Sequence, residues 1–364
     1  MLKVGLIGVG SMGTQHFLRI MNVVSGATVV AVSDINEAHA REVIAPYEGV
    51  RYIADPIELI RDPEVDAVVI VSIDSTHEQY CIEAIKHEVQ AGAILAGEEL
   101  GYDIKVLGPN DETNTQEQMN EVLDAQNYSD AICISATDPD SMQSTIADAH
   151  AAGIPIITFN NPLSDESAYD AFTGTNNAAA GRGLGDYIAE TQGEGVKLAI
   201  VRGVAGSIVH DQRANGIAAG VEEGGGELVD AQPADSDRAK AVTVAENLIQ
   251  ANPDINAIAA TSDEMALGAY EAVKSSGLTD KIKVYGFDAS LGGLESIMAG
   301  ELTADAAQLP IQMGYDSVVL ADKVLNGESV EKENEVPYDI INQDNAEDFY
   351  NDCMEKLREA GFDY

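Results

Sequence analysis

The sequence predicts an α/β protein whose sheets are parallel. Short apolar segments rich in β-branched residues alternate along the chain with longer segments of helical periodicity, which is the pattern of strands joined by crossover helices. A glycine-rich turn follows the first apolar segment and opens the first helical one, as in doubly wound folds. With 364 residues, the chain is long enough for two or three domains, each with its own core.

The first part of the chain predicts a small set of strands and helices. Its strands are short and rich in valine and isoleucine, which suits a buried, pleated surface, and they lie at residues 3–7, 28–32 and 67–71. Helices are predicted at residues 14–24 and 37–44. A proline-free stretch then predicts one long helix at residues 75–100.

The remainder of the chain continues this alternation. Apolar segments bounded by turn residues predict strands at residues 103–107, 131–135, 155–159, 197–201, 257–260, 283–287 and 302–307. The main helices are predicted at residues 178–190, 211–223, 238–251, 263–275, 311–325 and 346–360. The sequence has no tandem repeat and no low-complexity linker.

The charge of the chain excludes one class of partner. The net charge is −42, from 62 acidic and 20 basic side chains. Such a charge repels a phosphate backbone, so nucleic acid is not expected as a partner. Residues 1–88 carry 13 acidic and 6 basic side chains, and the remainder carries 49 and 14. This asymmetry indicates two pieces with different histories.

Targeting and cysteine patterns set further expectations. No stretch approaches the roughly 18 uninterrupted apolar residues of a membrane span, so membrane insertion is not expected. The first residues do not resemble a signal peptide, because glycines break the apolar run, and we expect a cytoplasmic location for the sequence as written. Cys81, Cys133 and Cys353 are too far apart for a CxxC pattern, so no metal is expected.

The clearest motif is a G-x-G-x-x-G turn formed by Gly8, Gly10 and Gly13. Gly8 permits a tight turn, Gly10 allows a pyrophosphate to approach the backbone, and Gly13 allows the helix to pack on the strand. Asp34 ends the second strand, where its carboxylate can bind both ribose hydroxyls and would disfavour a 2′-phosphate. The motif therefore predicts NAD rather than NADP as a cofactor. The alternative interpretation is a glycine-rich turn without a ligand.

Three stretches of the first part match a known family, at residues 6–13, 30–34 and 62–70. On these residues, the segment 1–88 resembles the first half of the glucose–fructose oxidoreductase and inositol dehydrogenase family, which implies a Rossmann-like segment that binds NAD. Members continue into a Glu-Lys-Pro motif whose lysine serves catalysis, and no Glu-Lys-Pro occurs here. We therefore expect a dinucleotide-binding segment without catalysis. An NAD-dependent oxidoreductase of this type is the alternative.

Six later stretches match another family in the same order, at residues 107–111, 135–140, 152–159, 262–269, 286–288 and 307–310. On these residues, the chain from Val89 onward resembles the ribose-type sugar-binding receptors of ABC transporters. The resemblance implies a two-lobed type I periplasmic-binding-protein fold with parallel sheets, and a small neutral sugar or cyclic polyol as the ligand. It implies an ABC permease as a partner only if the protein is exported to the periplasm or the cell exterior.

The two resemblances imply a domain organisation with one conflict. The boundaries are residues 1–88 for the NAD-binding segment, residues 89–174 with 309–336 for the receptor N-lobe, and residues 175–308 with 337–364 for its C-lobe. The receptor family begins with a strand that is missing here, and residues 67–71 are the nearest substitute. The Rossmann-like segment requires the same strand beside residues 3–7. One strand has only two edges, so the two sheets compete for it.

Six polar residues are candidates for contact with a sugar, because they stand at the receptor family's contact positions: Asn160, Asn161, Arg213, Ser262, Asp288 and Gln308. Ligands bind outside the carboxyl ends of parallel strands, where most of these residues fall. The guanidinium of Arg213 can bridge adjacent hydroxyls, and the carboxylate of Asp288 can bind a diol. The alternatives are a surface ion pair for Arg213 and a turn-closing role for Asp288. Ser236 stands where ribose-type receptors carry a phenylalanine, so we expect either weak sugar binding or a ligand other than ribose.

Three functions compete on this sequence. The first is a sugar or polyol receptor, and the second is an NAD-dependent dehydrogenase. The third is a ligand-sensing regulator, because transcription repressors reuse the receptor fold. No basic helix-turn-helix precedes the receptor part, and the acidic charge disfavours this third function. The sequence therefore favours the sugar receptor.

Overall fold

The computed structural model of the protein describes residues 2–9, 11–22, 27–47, 49–60, 62, 64–65, 67–70, 74–109 and 114–362. The chain divides into two compact units, one formed by Met1–His87 with Leu357–Tyr364 and the other by Glu88–Lys356. Both contain parallel sheets connected through helices, so the predicted α/β class is confirmed.

The first unit contains a four-stranded parallel sheet in the order β3-β2-β1-β4. Its strands are β1 (Leu2–Ile7), β2 (Ala27–Ser33), β3 (Arg51–Tyr52) and β4 (Ala67–Ile70). Its helices are α1 (Ser11–Asn22), α2 (Glu37–Ile44) and α3 (Pro56–Ile60), and α4 (Asp74–Leu100) follows β4. Leu6 packs with Phe17 in one buried cluster and Ile7 packs with Leu59 in another. Successive strand residues therefore fill the cores on opposite faces of the sheet.

The second unit contains two sheets. One is parallel, in the order β13-β7-β6-β5, with strands β5 (Ile132–Ile134), β6 (Ile156–Phe159), β7 (Ala171–Thr175) and β13 (Glu333–Val336). The other has the order β14-β12-β11-β10-β8-β9, with strands β8 (Lys197–Arg202), β9 (Glu227–Pro233), β10 (Ala257–Ala260), β11 (Lys283–Asp288), β12 (Ala304–Ala307) and β14 (Asp339–Asn342). Only β14 of this sheet runs antiparallel to its neighbour.

Helices connect these strands. They are α5 (Thr115–Ala125), α6 (Pro139–Ala151), α7 (Asn177–Gln192), α8 (Ile208–Glu223), α9 (Arg238–Ala251), α10 (Asp263–Ser275), α11 (Leu291–Met298), α12 (Pro310–Leu325) and α13 (Ala346–Glu359), with a short 3-10 turn at Glu166–Ala168. None of the helices in the described ranges is long and apolar enough to cross a membrane. Cys133 and Cys353 are free thiols, and the Cys81 side chain lies outside the described part.

The strand predicted at residues 67–71, which both resemblances require, lies in the first unit. Strand β4 pairs with β1, with Val4 opposite Ala67 and Ile7 opposite Ile70, whereas Val71 lies outside the described residues. The strand predicted at residues 103–107 is wrong, because residues 102–109 have no regular secondary structure. The resemblance to the receptor family implies that residues 67–71 would lie beside it in the receptor sheet. Without a neighbour, an extended segment has no ladder hydrogen bonds to hold it as a strand.

Helices α7 and α8 pack closely because glycines of each face the backbone of the other. A Cβ on Gly216 would lie 2.5 Å from the carbonyl oxygen of Ala178, and a Cβ on Gly181 would overlap the backbone of Arg213. Larger residues at these positions would separate the helices. This close contact fixes Arg213 of α8 against α7, whose first residue is Asn177.

Candidate functional site

Polar side chains meet at one edge of the six-stranded sheet. Strands β8, β10, β11 and β12 are parallel neighbours, so their carboxyl ends lie at the same edge. Asp288 is the last residue of β11, Gln308 comes directly after β12, and Thr261 comes directly after β10. Arg213 lies in the second turn of α8, which follows β8. The structure therefore brings together Arg213, Asp288 and Gln308, which we call the ligand cluster.

Arg213 is the centre of the ligand cluster, and only 5% of its side chain is exposed. Its Nε donates to Asn177 Oδ1 at 2.8 Å. Its Nη1 donates to the carbonyl oxygen of Thr261 and to Asp288 Oδ1, both at 2.9 Å. The guanidinium carbon also lies 4.0 Å from the centroid of the Phe287 ring, which is a cation–π distance. These contacts fix both the position and the plane of the guanidinium.

Asp288 is more exposed than Arg213, with 20% of its side chain accessible to solvent. Its Oδ1 accepts a second hydrogen bond from Gln308 Nε2 at 2.7 Å. The φ angles of Asp288 and Ala289 are 115° and 53°, in a region that residues other than glycine rarely adopt. Such strain persists only where the surroundings enforce it, and it is common at ligand sites.

The electrostatics of the ligand cluster depend on burial. Burial lowers the pKa of Arg213, and the neighbouring Asp288 carboxylate opposes this change. A guanidinium stays charged in proteins, so the ion pair with Asp288 offsets the cost of burying it. Two more acidic residues, Asp263 and Asp305, are buried beside the pair. One cationic side chain is therefore surrounded by three carboxyl groups.

His210 forms a polar group next to the ligand cluster. Its Nδ1 lies 2.9 Å from Thr261 Oγ1, and its Nε2 lies 3.1 Å from Ser236 Oγ. Burial and the charge of Arg213 lower the pKa of His210. The imidazole is therefore neutral at pH 7, with one donor and one acceptor nitrogen. Ser236, at the position expected for an aromatic ring, is part of a hydrogen-bonded polar group instead.

The other candidate residues lie apart from these contacts. Ser262 immediately precedes α10, and its buried Oγ has no hydrogen-bond partner in the part of the chain that the structure describes. Asn160 and Asn161 follow β6 in the four-stranded sheet of the second unit. Asn161 Nδ2 donates to the carbonyl oxygen of Ala136 at 3.1 Å, and Asn160 has a φ angle of 60°. Across the described residues, no hydrogen bond joins either asparagine to Arg213.

The glycine turn of the first unit has the geometry of a tight strand-to-helix connection. Gly8 has a φ angle of 88°, and its amide donates to the carbonyl oxygen of Ser33 at 2.8 Å. Such a φ angle is readily available only to glycine. Gly13 lies in α1, and Gly10 lies outside the described residues.

Asp34 follows β2 and lies beside this glycine turn. Its Oδ2 accepts a hydrogen bond from the Val9 amide at 2.7 Å, and its Oδ1 accepts one from the Asn36 amide at 2.7 Å. The carboxylate is thus held where a dinucleotide's ribose would lie in this kind of turn. Gly8, α1 and Asp34 fit an NAD molecule in these respects. Among the described residues, no group of three or more His, Cys, Asp or Glu side chains could hold a metal ion.

Sequence analysis missed three residues that hold Arg213, namely Asn177, Thr261 and Phe287. Thr261 comes directly before the candidate Ser262, and Phe287 comes directly before Asp288. Asn177 begins α7, just beyond the carboxyl end of β7. Position at a strand end was therefore the available signal for all three residues. That signal alone does not select them, because many residues share it.

Comparison with known families finds two matches along the chain. The family described as a periplasmic binding protein domain matches residues 67–329. The oxidoreductase family with an NAD-binding Rossmann fold matches residues 2–94. The two matches overlap over residues 67–94, which contain β4 and the greater part of α4.

Two relatives among curated proteins correspond to these two matches. The chain is 34% identical over 251 residues to the ribose import binding protein RbsB of Salmonella typhimurium. This match covers 69% of this chain and 83% of RbsB. The chain is 44% identical over 85 residues to inositol 2-dehydrogenase 2 of Saccharopolyspora erythraea, which covers 23% of this chain and 25% of that enzyme.

Two solved structures similar to this chain contain a bound sugar or polyol. An ABC transporter periplasmic solute-binding protein of Actinobacillus succinogenes with bound D-allose has a TM-score of 0.68 and 25% identity, over 73% of this chain and 95% of that one. An ABC transporter solute-binding protein of Bacillus halodurans with bound myo-inositol has a TM-score of 0.65 and 27% identity, over 74% of this chain and 93% of that one.

Proposed function

This chain belongs to the family of periplasmic binding proteins, and we propose that its second unit binds a neutral sugar or cyclic polyol through Arg213, Asp288 and Gln308. The observation that carries the proposal is the buried Arg213–Asp288 ion pair at the carboxyl ends of parallel strands, where ligands bind in doubly wound folds. The relatives support the ligand class, because they are named for ribose or contain D-allose or myo-inositol.

The chemistry of the ligand cluster favours hydroxyl groups. Arg213 and Asp288 form an ion pair, so a charged ligand would bring a buried charge without a partner of its own. A hydroxyl has one donor and two acceptor positions. It can therefore donate to Asp288 while it accepts from Gln308 or Arg213. Adjacent hydroxyls on a sugar or cyclitol present such positions in pairs.

The proposal gives Asn160, Asn161 and Ser262 neutral hydrogen-bonding roles. The buried hydroxyl of Ser262, without a partner in the described part of the chain, supports a contact with a ligand. Asn160 and Asn161 carry amide groups at the end of β6, and amides both donate to and accept from hydroxyls. Closure of the two lobes on the ligand is the expected working motion.

Calorimetric titration of the full chain with D-ribose, D-allose and myo-inositol tests the proposal. At least one of the three should bind, and Arg213→Ala and Asp288→Ala should each weaken that binding about tenfold or more. Arg182→Ala is the matched control, because Arg182 lies on α7 and pairs with Asp186 and Glu223 at the surface. Binding that neither of the first two variants weakens would overturn the site, and no binding at all would overturn the function.

We also propose that the first unit binds NAD without converting a substrate. The φ angle of Gly8, the position of Asp34 and the family match over residues 2–94 support this second function. Gly8 and the start of α1 would hold the pyrophosphate, and Asp34 would hold the ribose hydroxyls. NAD supplies a hydride acceptor when it is bound. The chain covers 25% of inositol 2-dehydrogenase 2 and has no Glu-Lys-Pro, so no dehydrogenase activity is proposed.

The partner depends on where the protein is located. One related protein, from Escherichia coli, is named D-allose-binding periplasmic protein and is 31% identical to this chain over 231 residues. We propose an ABC permease as the partner of an exported form of this chain. A cytoplasmic form would bind its sugar without that partner, and cell fractionation of the expressed protein distinguishes the two.

A further inference from the structure

Two buried carboxyl groups meet beside the ligand cluster. Asp263 is the first residue of α10 and Asp305 lies in β12, and they are 1% and 0% exposed. Gly286 of β11 lies between them. A Cβ on Gly286 would overlap both Asp263 Oδ1 and Asp305 Oδ2. These two oxygens, which we call the facing oxygens, therefore share the space that the missing side chain leaves.

The other oxygen of each carboxyl group holds the turn that follows β11. Asp263 Oδ2 accepts hydrogen bonds from the amide and the hydroxyl of Ser290, at 2.7 Å and 2.6 Å. Asp305 Oδ1 accepts one from the amide of Ala289 at 3.1 Å. The same turn begins with Asp288, and Asp288 and Ala289 both have strained positive φ angles. The two carboxyl groups therefore stabilise the conformation in which Asp288 contacts Arg213.

The facing oxygens need a proton between them. Neither oxygen has a hydrogen-bond donor among the residues that the structure describes. The charged groups that face the pair are Asp288, which repels it, and Arg213, whose Nη1 already donates to Asp288 and to Thr261. Two ionised carboxylates whose oxygens share this buried space would repel each other. One shared proton gives each facing oxygen a partner and removes one of the two charges.

We propose that Asp263 and Asp305 are positioning residues of the ligand site, which share one proton and thereby hold the turn that presents Asp288. This inference rests on the proposed sugar-binding function, which it deepens. It makes the site sensitive to pH, because loss of the shared proton leaves two repelling carboxylates. The turn is then released and Asp288 loses its fixed position.

The direction of the pH effect follows from burial. Burial, together with the neighbouring carboxyl groups, raises the pKa of Asp263, and burial raises the pKa of Asp305 to about 6. A raised pKa means that the folded protein binds the proton more tightly than the unfolded protein does. The resulting stability is present at low pH and is lost as the pH rises through the pKa of the folded state. Stability and sugar affinity should therefore both fall as the pH rises above about 6, the pKa of Asp305.

The variant Asp305→Asn tests the shared proton in the full chain. Its amide group donates permanently to Asp263 Oδ1, and its carbonyl oxygen can still accept from Ala289, so the pairing no longer needs a proton. When the pH is raised from about 6 to about 8, the unfolding temperature of the second unit should fall. The fall should be about 3 °C larger in the wild-type protein than in Asp305→Asn. Asp339→Asn, which removes an exposed carboxylate from the neighbouring strand β14, should behave as the wild-type protein. Parallel profiles for the wild-type protein and Asp305→Asn would overturn the proposal.

Sugar affinity tests the positioning role separately. For whichever of D-ribose, D-allose and myo-inositol binds, Asp305→Ala should weaken binding about tenfold at pH 6, whereas Asp305→Asn should bind about as the wild-type protein does. Equal affinities for Asp305→Ala and the wild-type protein would overturn the positioning role. If none of the three compounds binds while the unfolding profiles still differ, the shared proton stands and the sugar-binding function fails.

Discussion

Replacing Arg213 by alanine removes the guanidinium from the centre of the ligand cluster. Three acceptors then lose a donor: Asn177 Oδ1, the carbonyl oxygen of Thr261 and Asp288 Oδ1. Asp288 keeps its hydrogen bond from Gln308, but it also keeps a charge whose partner has gone. Because only 5% of the Arg213 side chain is exposed, these contacts are lost in a buried place, where a missing hydrogen-bond partner costs more than at the surface.

The expected loss of stability follows from these contacts. Removing one partner of a buried ion pair costs about 3–5 kcal/mol, because the other charge stays buried. The 20% exposure of the Asp288 side chain places the expected loss toward the lower end of this range. We therefore expect Arg213→Ala to lower the free energy of unfolding of the second unit by about 3 kcal/mol. Sugar affinity should fall about tenfold or more, because the sugar loses the donor that bridges its hydroxyls.

Scanning calorimetry measures the stability change in the full chain. The transition of the second unit is identified because its unfolding temperature rises when a sugar that binds is added. Arg182→Ala is the control, because it removes an arginine of α7 whose guanidinium pairs with surface carboxylates. If Arg213→Ala unfolds at the same temperature as this control and binds sugar equally well, Arg213 is not the centre of the site.

Three further changes test other parts of the account. Gln308→Ala should weaken sugar binding about threefold to tenfold, because the Asp288 carboxylate loses the hydrogen bond that the Gln308 amide donates; calorimetric titration with unchanged affinity would contradict this. Asp34→Ala should narrow the preference for NAD over NADP, since the carboxylate that repels a 2′-phosphate is gone; titration with both nucleotides checks the ratio, and an unchanged ratio would count against the assignment. Gly216→Ala should lower the free energy of unfolding by about 1–3 kcal/mol, because its Cβ would overlap α7. Gly108→Ala, which meets open space, is the control in urea unfolding, and equal midpoints would refute the packing argument.

Much of the fold was predictable because its signals are local. The strand predicted at residues 283–287 is β11 (Lys283–Asp288), and the one predicted at residues 302–307 contains β12 (Ala304–Ala307). Turn residues and β-branched runs mark such segments without reference to the rest of the chain. Both family resemblances were carried by ordered local motifs, and both are confirmed by the family matches.

The wrong and missing predictions depend on distant contacts. Residues 103–107 have the composition of a strand, but a strand requires a neighbour, and β4 pairs with β1 instead. The candidate residues Asp288 and Gln308 were predictable as strand-end residues, whereas the Asp288–Gln308 hydrogen bond is a property of the folded sheet. The bond from Arg213 to Asn177 joins residues 36 positions apart. It exists because α7 and α8 pack closely, which no local pattern shows.

The central claim is that a sugar or polyol binds at the Arg213–Asp288 pair. The most direct measurement is a crystal structure of the full chain with whichever of D-ribose, D-allose and myo-inositol binds in calorimetry. The account predicts ligand hydroxyls within hydrogen-bonding distance, about 2.5–3.2 Å, of Asp288 and Gln308 or Arg213. A well-ordered ligand elsewhere on the chain, with the Asp288 carboxylate still in contact only with Arg213 and Gln308, would contradict it.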